Sequence, residues 1–125
     1  VTAAGTADAL QQVRTACMAL PEVVERASHG APSFFVSGKR CFVMFMDNHH
    51  DDGRLALWCA APLGVQEGMI EEDPERFFRP PYVGTRGWFG VRLDRAPDWD
   101  EVAVIVKEAY RCVAPKTLTA LLGPT

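Results

Sequence analysis

The chain lacks the marks of most specialised protein classes. Its four cysteines, at positions 17, 41, 59 and 112, form no C-x-x-C pair and accompany no histidine pair at zinc-finger spacing. That excludes the usual frameworks for structural zinc and for dithiol redox chemistry. All four fall in apolar runs, so they read as reduced, buried small hydrophobes and not as a disulfide scaffold. No apolar run approaches the roughly 20 residues that span a bilayer, and the start shows no charged, apolar, small-residue order of a secretion signal. Positive charge is not in excess: the net charge is −3, so no overall field draws the chain to polyanions or acidic membranes. Repeats and low-complexity tracts are missing, apart from the small-residue opening VTAAGTA, whose residues 1–6 are expected to fray. These absences describe one cytoplasmic domain over residues 1–125, with no membrane partner, metal or cofactor called for.

What is present is an ordinary globular mixture, 48% hydrophobic and 23% charged. A chain of this length buries roughly 65–70% of its unfolded surface, enough for one core. Charge is unevenly placed. Residues 64–75 hold Glu67, Glu71, Glu72, Asp73 and Glu75 with no base, whereas 76–95 hold Arg76, Arg79, Arg86, Arg92 and Arg95 against Asp94 alone.

Periodicity sets the elements. Leu10, Val13, Cys17 and Leu20 recur at helical steps, predicting a helix from about Asp8 to Leu20 that Pro21 ends. The stretch 21–36 reads as a turn and strand entry, RCFVMFM (40–46) as a strand covered on both faces, and RLALWCA (54–60) as its return across DNHHDDG (47–53). A helix follows over about 63–72. In RPPYVGTRGWFGVRLD the prolines hold the chain extended, Gly84 and Gly87 bracket a turn, and 88–93 alternates as a strand. Asp98 with Glu101 three residues on signals a helix start, and Val102, Ile105, Val106, Ala109, Tyr110 and Val113 mark its buried stripe. The order is α-β-β-β-α-β-β-α. With hairpin-length loops, that means an α+β fold with a mainly antiparallel sheet.

No catalytic constellation is readable. Ser28 and His29 are adjacent and point to opposite faces of a strand, and no Ser-His-acid or Cys-His arrangement can be named. The loop DNHHDDG offers metal-ligand residue types, but Asp52 stands where a calcium loop needs glycine and Trp58 where it needs glutamate. GTRGWFG leads into a strand, without the helix N-terminus that a phosphate loop requires. One pattern is sharper. Arg54 and Trp58 share one strand face, and Trp88 and Arg92 share another, each pair four residues apart. Cation and indole together suit nucleic acid, by phosphate pairing and base stacking. The plainer alternative is indoles packed on the second face of the sheet beneath the arginines.

LPEVVERASHGAPSFFVSGKRCFVMF resembles a family segment with an L-P-G-V-x-E start, a G-x-P-S-F run and a G-K before a strand. PPYVGTRGWFGVRLD and DWDEVAVIVKEAYRCVAPK are similar to the same family's Y-x-G-x-x-G-W turn and D-W-x-E helix. Glu22 stands where that pattern has glycine, and Ala109 where it has serine. The family is MmcQ/YjbR, small bacterial proteins, and the resemblance implies a double-wing α+β sheet and a DNA-binding role. On that reading Lys39, Arg40, Arg54, Arg86 and Arg92 contact phosphate and Trp88 stacks, giving weak, salt-sensitive, non-enzymatic binding. Two other expectations stand beside it. One is a protein-interaction or homodimerisation module. The other is a small-molecule binder with a pocket near His29, Lys39 and Tyr82.

Overall fold

The computed structural model describes residues 2–123. A six-stranded, wholly antiparallel sheet runs in the order β1-β2-β3-β4-β6-β5. Its strands are β1 (Val23–Ser28), β2 (Ala31–Val36), β3 (Arg40–Asp47), β4 (Leu55–Cys59), β5 (Phe77–Phe78) and β6 (Phe89–Arg92). Helices α1 (Ala3–Met18) and α3 (Trp99–Val113) pack on one face of the sheet; α2 (Val65–Glu72) lies beside β5, and α4 (Lys116–Thr119) follows α3. The α+β, antiparallel expectation therefore holds.

Three differences have local causes. The stretch 21–36 forms two strands, not one, because His29 and Gly30 both take positive φ (51° and 79°), the backbone of a two-residue hairpin turn. The first helix begins at Ala3, where Thr2 Oγ1 accepts from Gly5 N at 3.0 Å, so residues 3–6 are helical. Of the four cysteines, Cys17 and Cys59 are buried, Cys41 is half-buried and Cys112 is exposed; all are free.

The helix-facing core follows the sequence stripe. Val102, Ile105, Val106, Ala109 and Tyr110 of α3 are all buried, and Asp98 Oδ1 caps the helix by accepting from Asp100 N and Glu101 N. Glu101 does not complete the reciprocal capping bond. Its carboxylate instead binds Arg76, which also holds Asp73 at 2.7 Å, so one guanidinium ties the end of α2 to the start of α3. Tyr110 packs edge-on against Phe42, and its hydroxyl donates to Pro21 O at 2.8 Å. Phe42 sits at a bulge, between the pairings Phe34↔Val43 and Phe35↔Cys41. A bulge breaks the two-residue alternation. Cys41 and Met44, three apart, therefore line the same outer face.

No helix among the described residues is long and apolar enough to cross a membrane.

Candidate functional site

The outer face of the sheet, opposite α1 and α3, gathers the polar and aromatic side chains that the sequence brings forward. The pairings Ala56↔Arg92 and Trp58↔Gly90 put Arg54, Trp58, Trp88 and Arg92 on that one face. The face is not open. Trp58 is only 2% exposed and Trp88 4%, because two loops fold over it.

The first is the β3–β4 loop. Asn48, His50 and Asp51 take positive φ, which short polar side chains tolerate better than bulky ones. Asn48 Oδ1 accepts from Gly53 N at 2.8 Å, and Asp52 Oδ1 from Arg54 N at 2.9 Å. The crooked backbone stacks His49 on His50 with centroids 4.0 Å apart, and sets His49 edge-on to Trp58 at 4.9 Å. Most of the polar run 47–53 is thus spent on the loop's own geometry.

The second loop is the turn at Tyr82–Gly87. Tyr82 has φ 62° and ψ −76°, a strained backbone for a bulky side chain that costs about 1–3 kcal/mol. The turn is held from within by the Thr85 hydroxyl, which donates to Tyr82 O at 2.8 Å. It is held from below by Gln66 of α2, a buried side chain whose Nε2 donates to Gly84 O at 2.9 Å and also to Trp88 O. Tyr82 is left 70% exposed.

Between these loops and the β1–β2 turn lies a cleft of about 620 Å³. Met44, Met46, Trp58 and Trp88 form its floor, and Ser28, His29, His49, His50, Tyr82, Val83 and Arg86 its walls, with Cys41 at one end. Its size and mostly apolar, aromatic lining match small-molecule sites in general. Two buried polar atoms of its lining have no hydrogen-bond partner, Trp58 Nε1 and His49 Nε2. Leaving such a group unpaired costs about 1–3 kcal/mol. Burial, then the neighbouring His50, lowers the His49 pKa against the opposing pull of Asp52, so the imidazole is neutral at pH 7. Burial pushes the Cys41 thiol up to about 11 despite Arg86 and Arg26 nearby; it is a protonated thiol at neutral pH, not a nucleophile. Among the described residues no group of three or more His, Cys, Asp or Glu is placed to hold a metal.

The six residues read as a polyanion patch are divided. Arg86 lies over the Trp88 ring at 5.4 Å. Arg54 lies over Phe78 at 4.0 Å. Arg92 makes two 2.9 Å hydrogen bonds to Asp94. Lys39 and Arg40 are exposed at the β2–β3 turn, where they border a different groove with Val113, Ala114 and Pro115. The pocket anticipated near His29 and Tyr82 is present, and Lys39 is not part of it. His49 and His50 stand out in the sequence only as metal-ligand types in DNHHDDG, and Met44 and Gln66 do not stand out there. Nothing in a helix spacing or a strand alternation distinguishes them.

The YjbR family model matches residues 18–112. The chain belongs to the YjbR family. The match runs from the end of α1 through α3, and so contains every cleft residue of this YjbR domain. In three dimensions the domain is similar to the crystal structure of the Deinococcus radiodurans protein DR2400, a DUF419 domain. The TM-score is 0.70 at 18% identity, over 93% of this chain and 88% of that one; at that identity the likeness speaks for the fold alone. No curated protein sequence matches the chain.

Proposed function

We propose that this YjbR domain is a small-molecule binding module, and that it receives a planar organic anion in the cleft on the outer sheet face. The observation that carries the reading is a cavity walled by the Tyr82, His49 and His50 rings, with Arg86 beside them. Arg86 makes no salt bridge among the described residues. With the two indoles nearly sealed, the Tyr82, His49 and His50 rings on the walls favour a planar partner, and an unneutralised guanidinium favours a carboxylate or phosphate. Titrating aromatic carboxylates against the protein, followed by ligand-observed NMR and thermal shift, tests it. Saturable binding that weakens in Arg86→Ala is the expected result. A panel of ring carboxylates that shows no saturable binding removes the reading.

Nucleic-acid binding is the second reading. It is favoured by Lys39, Arg40 and Arg86, three exposed cations without an ion pair among the described residues. It has less to work with than the sequence suggests. Trp88 is buried and Arg92 is held by Asp94, which leaves phosphate contacts with little stacking surface. Such binding falls steeply with salt. Titration of duplex and single-stranded DNA at low salt, on the wild type and on Lys39→Ala with Arg40→Ala, two positions outside the cleft, separates it from the first reading.

A further inference from the structure

The two edges of the sheet are finished differently. At one edge β5 is two residues long, has α2 against it and is followed by Pro80 and Pro81, which blunts it against further pairing. At the other edge β1 is six residues long and holds no proline, and the bulge lies one strand inward, between β2 and β3. The hydrogen bonds say which way the β1 backbone points. Ser37 N donates to Glu22 O at 2.8 Å, and the same register continues through Val24↔Phe35, Arg26↔Ser33 and Ser28↔Ala31. Bonded and non-bonded pairs alternate along an antiparallel ladder, so Val23, Glu25 and Ala27 turn their N–H and C=O groups outward. No backbone group of a loop or helix among the described residues bonds to them there. Charged side chains usually guard such an edge, but here both are tied back. Glu25 is held by Arg14 of α1 at 2.8 and 2.9 Å. The Arg26 guanidinium lies 3.7 Å over the Phe35 ring and donates to Gly38 O at 2.7 Å.

We propose that a second copy of this chain occupies the edge, with β1 pairing antiparallel to the partner's β1 about a two-fold axis at Glu25. A two-fold contact needs a surface that complements itself. Centring on Glu25 matches Val23 with the partner's Ala27, Glu25 with the partner's Glu25, and Ala27 with the partner's Val23. That register uses every outward group, and any shifted one leaves some unpaired. The charges fit it as well. Two carboxylates directly opposite would repel, but each brings its own Arg14, so the cluster at the axis is neutral. Arg14 spends Nε and Nη2 on its own Glu25, which leaves Nη1 to reach the partner's carboxylate. On the other face Val24, 45% exposed, comes opposite the partner's Arg26, whose aliphatic stem covers it.

The test is sedimentation velocity from about 5 μM to about 1 mM on the wild type and on Ala27→Pro. The proline removes an outward N–H that donates nothing to β2, a position where an edge strand tolerates it. The wild type is expected to dimerise with a dissociation constant on the order of 10–100 μM, as suits a contact smaller than a standard interface. Ala27→Pro should weaken it at least about ten-fold with near-ultraviolet circular dichroism unchanged. Should the variant misfold, amide exchange of the wild type decides: the Glu25 and Ala27 N–H groups should exchange slowly at high concentration and fast at low. A wild type that stays monomeric to about 1 mM overturns the proposal and leaves the edge to an extended segment of a different protein. A dimer whose edge amides exchange fast at every concentration, or one that a folded Ala27→Pro forms equally well, also overturns it and puts the contact on another surface.

Discussion

Replacing Gly90 by alanine tests how the outer face is built. Gly90 pairs with Trp58 on one side and Phe78 on the other, and the Phe78 ring lies across it. A Cβ at this position would come within 2.6 Å of Phe78 Cε1 and Cε2, roughly 1 Å inside the usual carbon–carbon contact of about 3.5–4.0 Å. The ring cannot give way freely, because it is buried and carries the Arg54 guanidinium 4.0 Å above it. Overpacking of this kind costs about 1–3 kcal/mol, and Gly90→Ala is expected to lose that much in urea unfolding followed by tryptophan fluorescence. Phe78→Ala alone removes a buried ring at about 3–5 kcal/mol. In the double variant the new methyl enters space the ring has left, so the two losses should fall short of additivity by about 1 kcal/mol or more. Gly90→Ala within about 0.5 kcal/mol of wild type, or strict additivity, would show that the ring does not rest on Gly90, and the packing of this face would have to be reconsidered.

Further outcomes follow from the supports of the site. Gln66→Leu leaves the carbonyls of Gly84 and Trp88 without their donor; it should cost about 1–3 kcal/mol and weaken cleft binding by loosening the turn that carries Tyr82 and Arg86. Unchanged stability together with unchanged binding would contradict that role. Burial alone would raise the pKa of Asp94, but the Arg92 hydrogen bonds and the Leu55 N–H hold it below the usual carboxylate value. A depressed folded pKa gives stability that is full above the unfolded value and lost as pH falls through the folded one. The stability gap between wild type and Asp94→Asn should therefore narrow as pH falls below about 5 and through the depressed folded value; a gap that widens toward acid would refute the pairing. Breaking the two-point ion pair of Arg14 with Glu25, at 2.8 and 2.9 Å between α1 and β1, should cost only about 1 kcal/mol in Glu25→Gln, since the pair is part-exposed.

Much of the fold was legible, for reasons that lie in particular residues. Helix α3 announces itself through Asp98 and a buried stripe, and the structure uses both. The shared face of Arg54, Trp58, Trp88 and Arg92 follows from strand alternation and is what the pairing shows. The first hairpin escaped because its turn is His29–Gly30, and histidine in a left-handed position is a weaker signal than asparagine or aspartate. The cleft shows in the sequence only through His29 and Tyr82, for a different reason. Its walls come from residues 28–29, 49–50 and 82–86, which only the tertiary fold brings together. The burial of the indoles depends on those same loops closing over the sheet, and alternation along a strand carries no information about what lies above it. Alternation along 88–93 puts Gly90 on the face of Trp88 and Arg92, but the reason it must be glycine belongs to Phe78, twelve residues earlier in another strand.

The most direct test of the cleft as the working part of this domain is the indole N–H resonance of Trp58 in a nitrogen–proton correlation spectrum, followed during titration with an aromatic carboxylate and, separately, with duplex DNA at low salt. A ring bound in the cleft above Trp58 should shift that resonance saturably, while DNA leaves it in place. If DNA perturbs the outer face and the aromatic carboxylate leaves the Trp58 signal untouched, the cleft is not an anion site, and the exposed cations become the better guide to function.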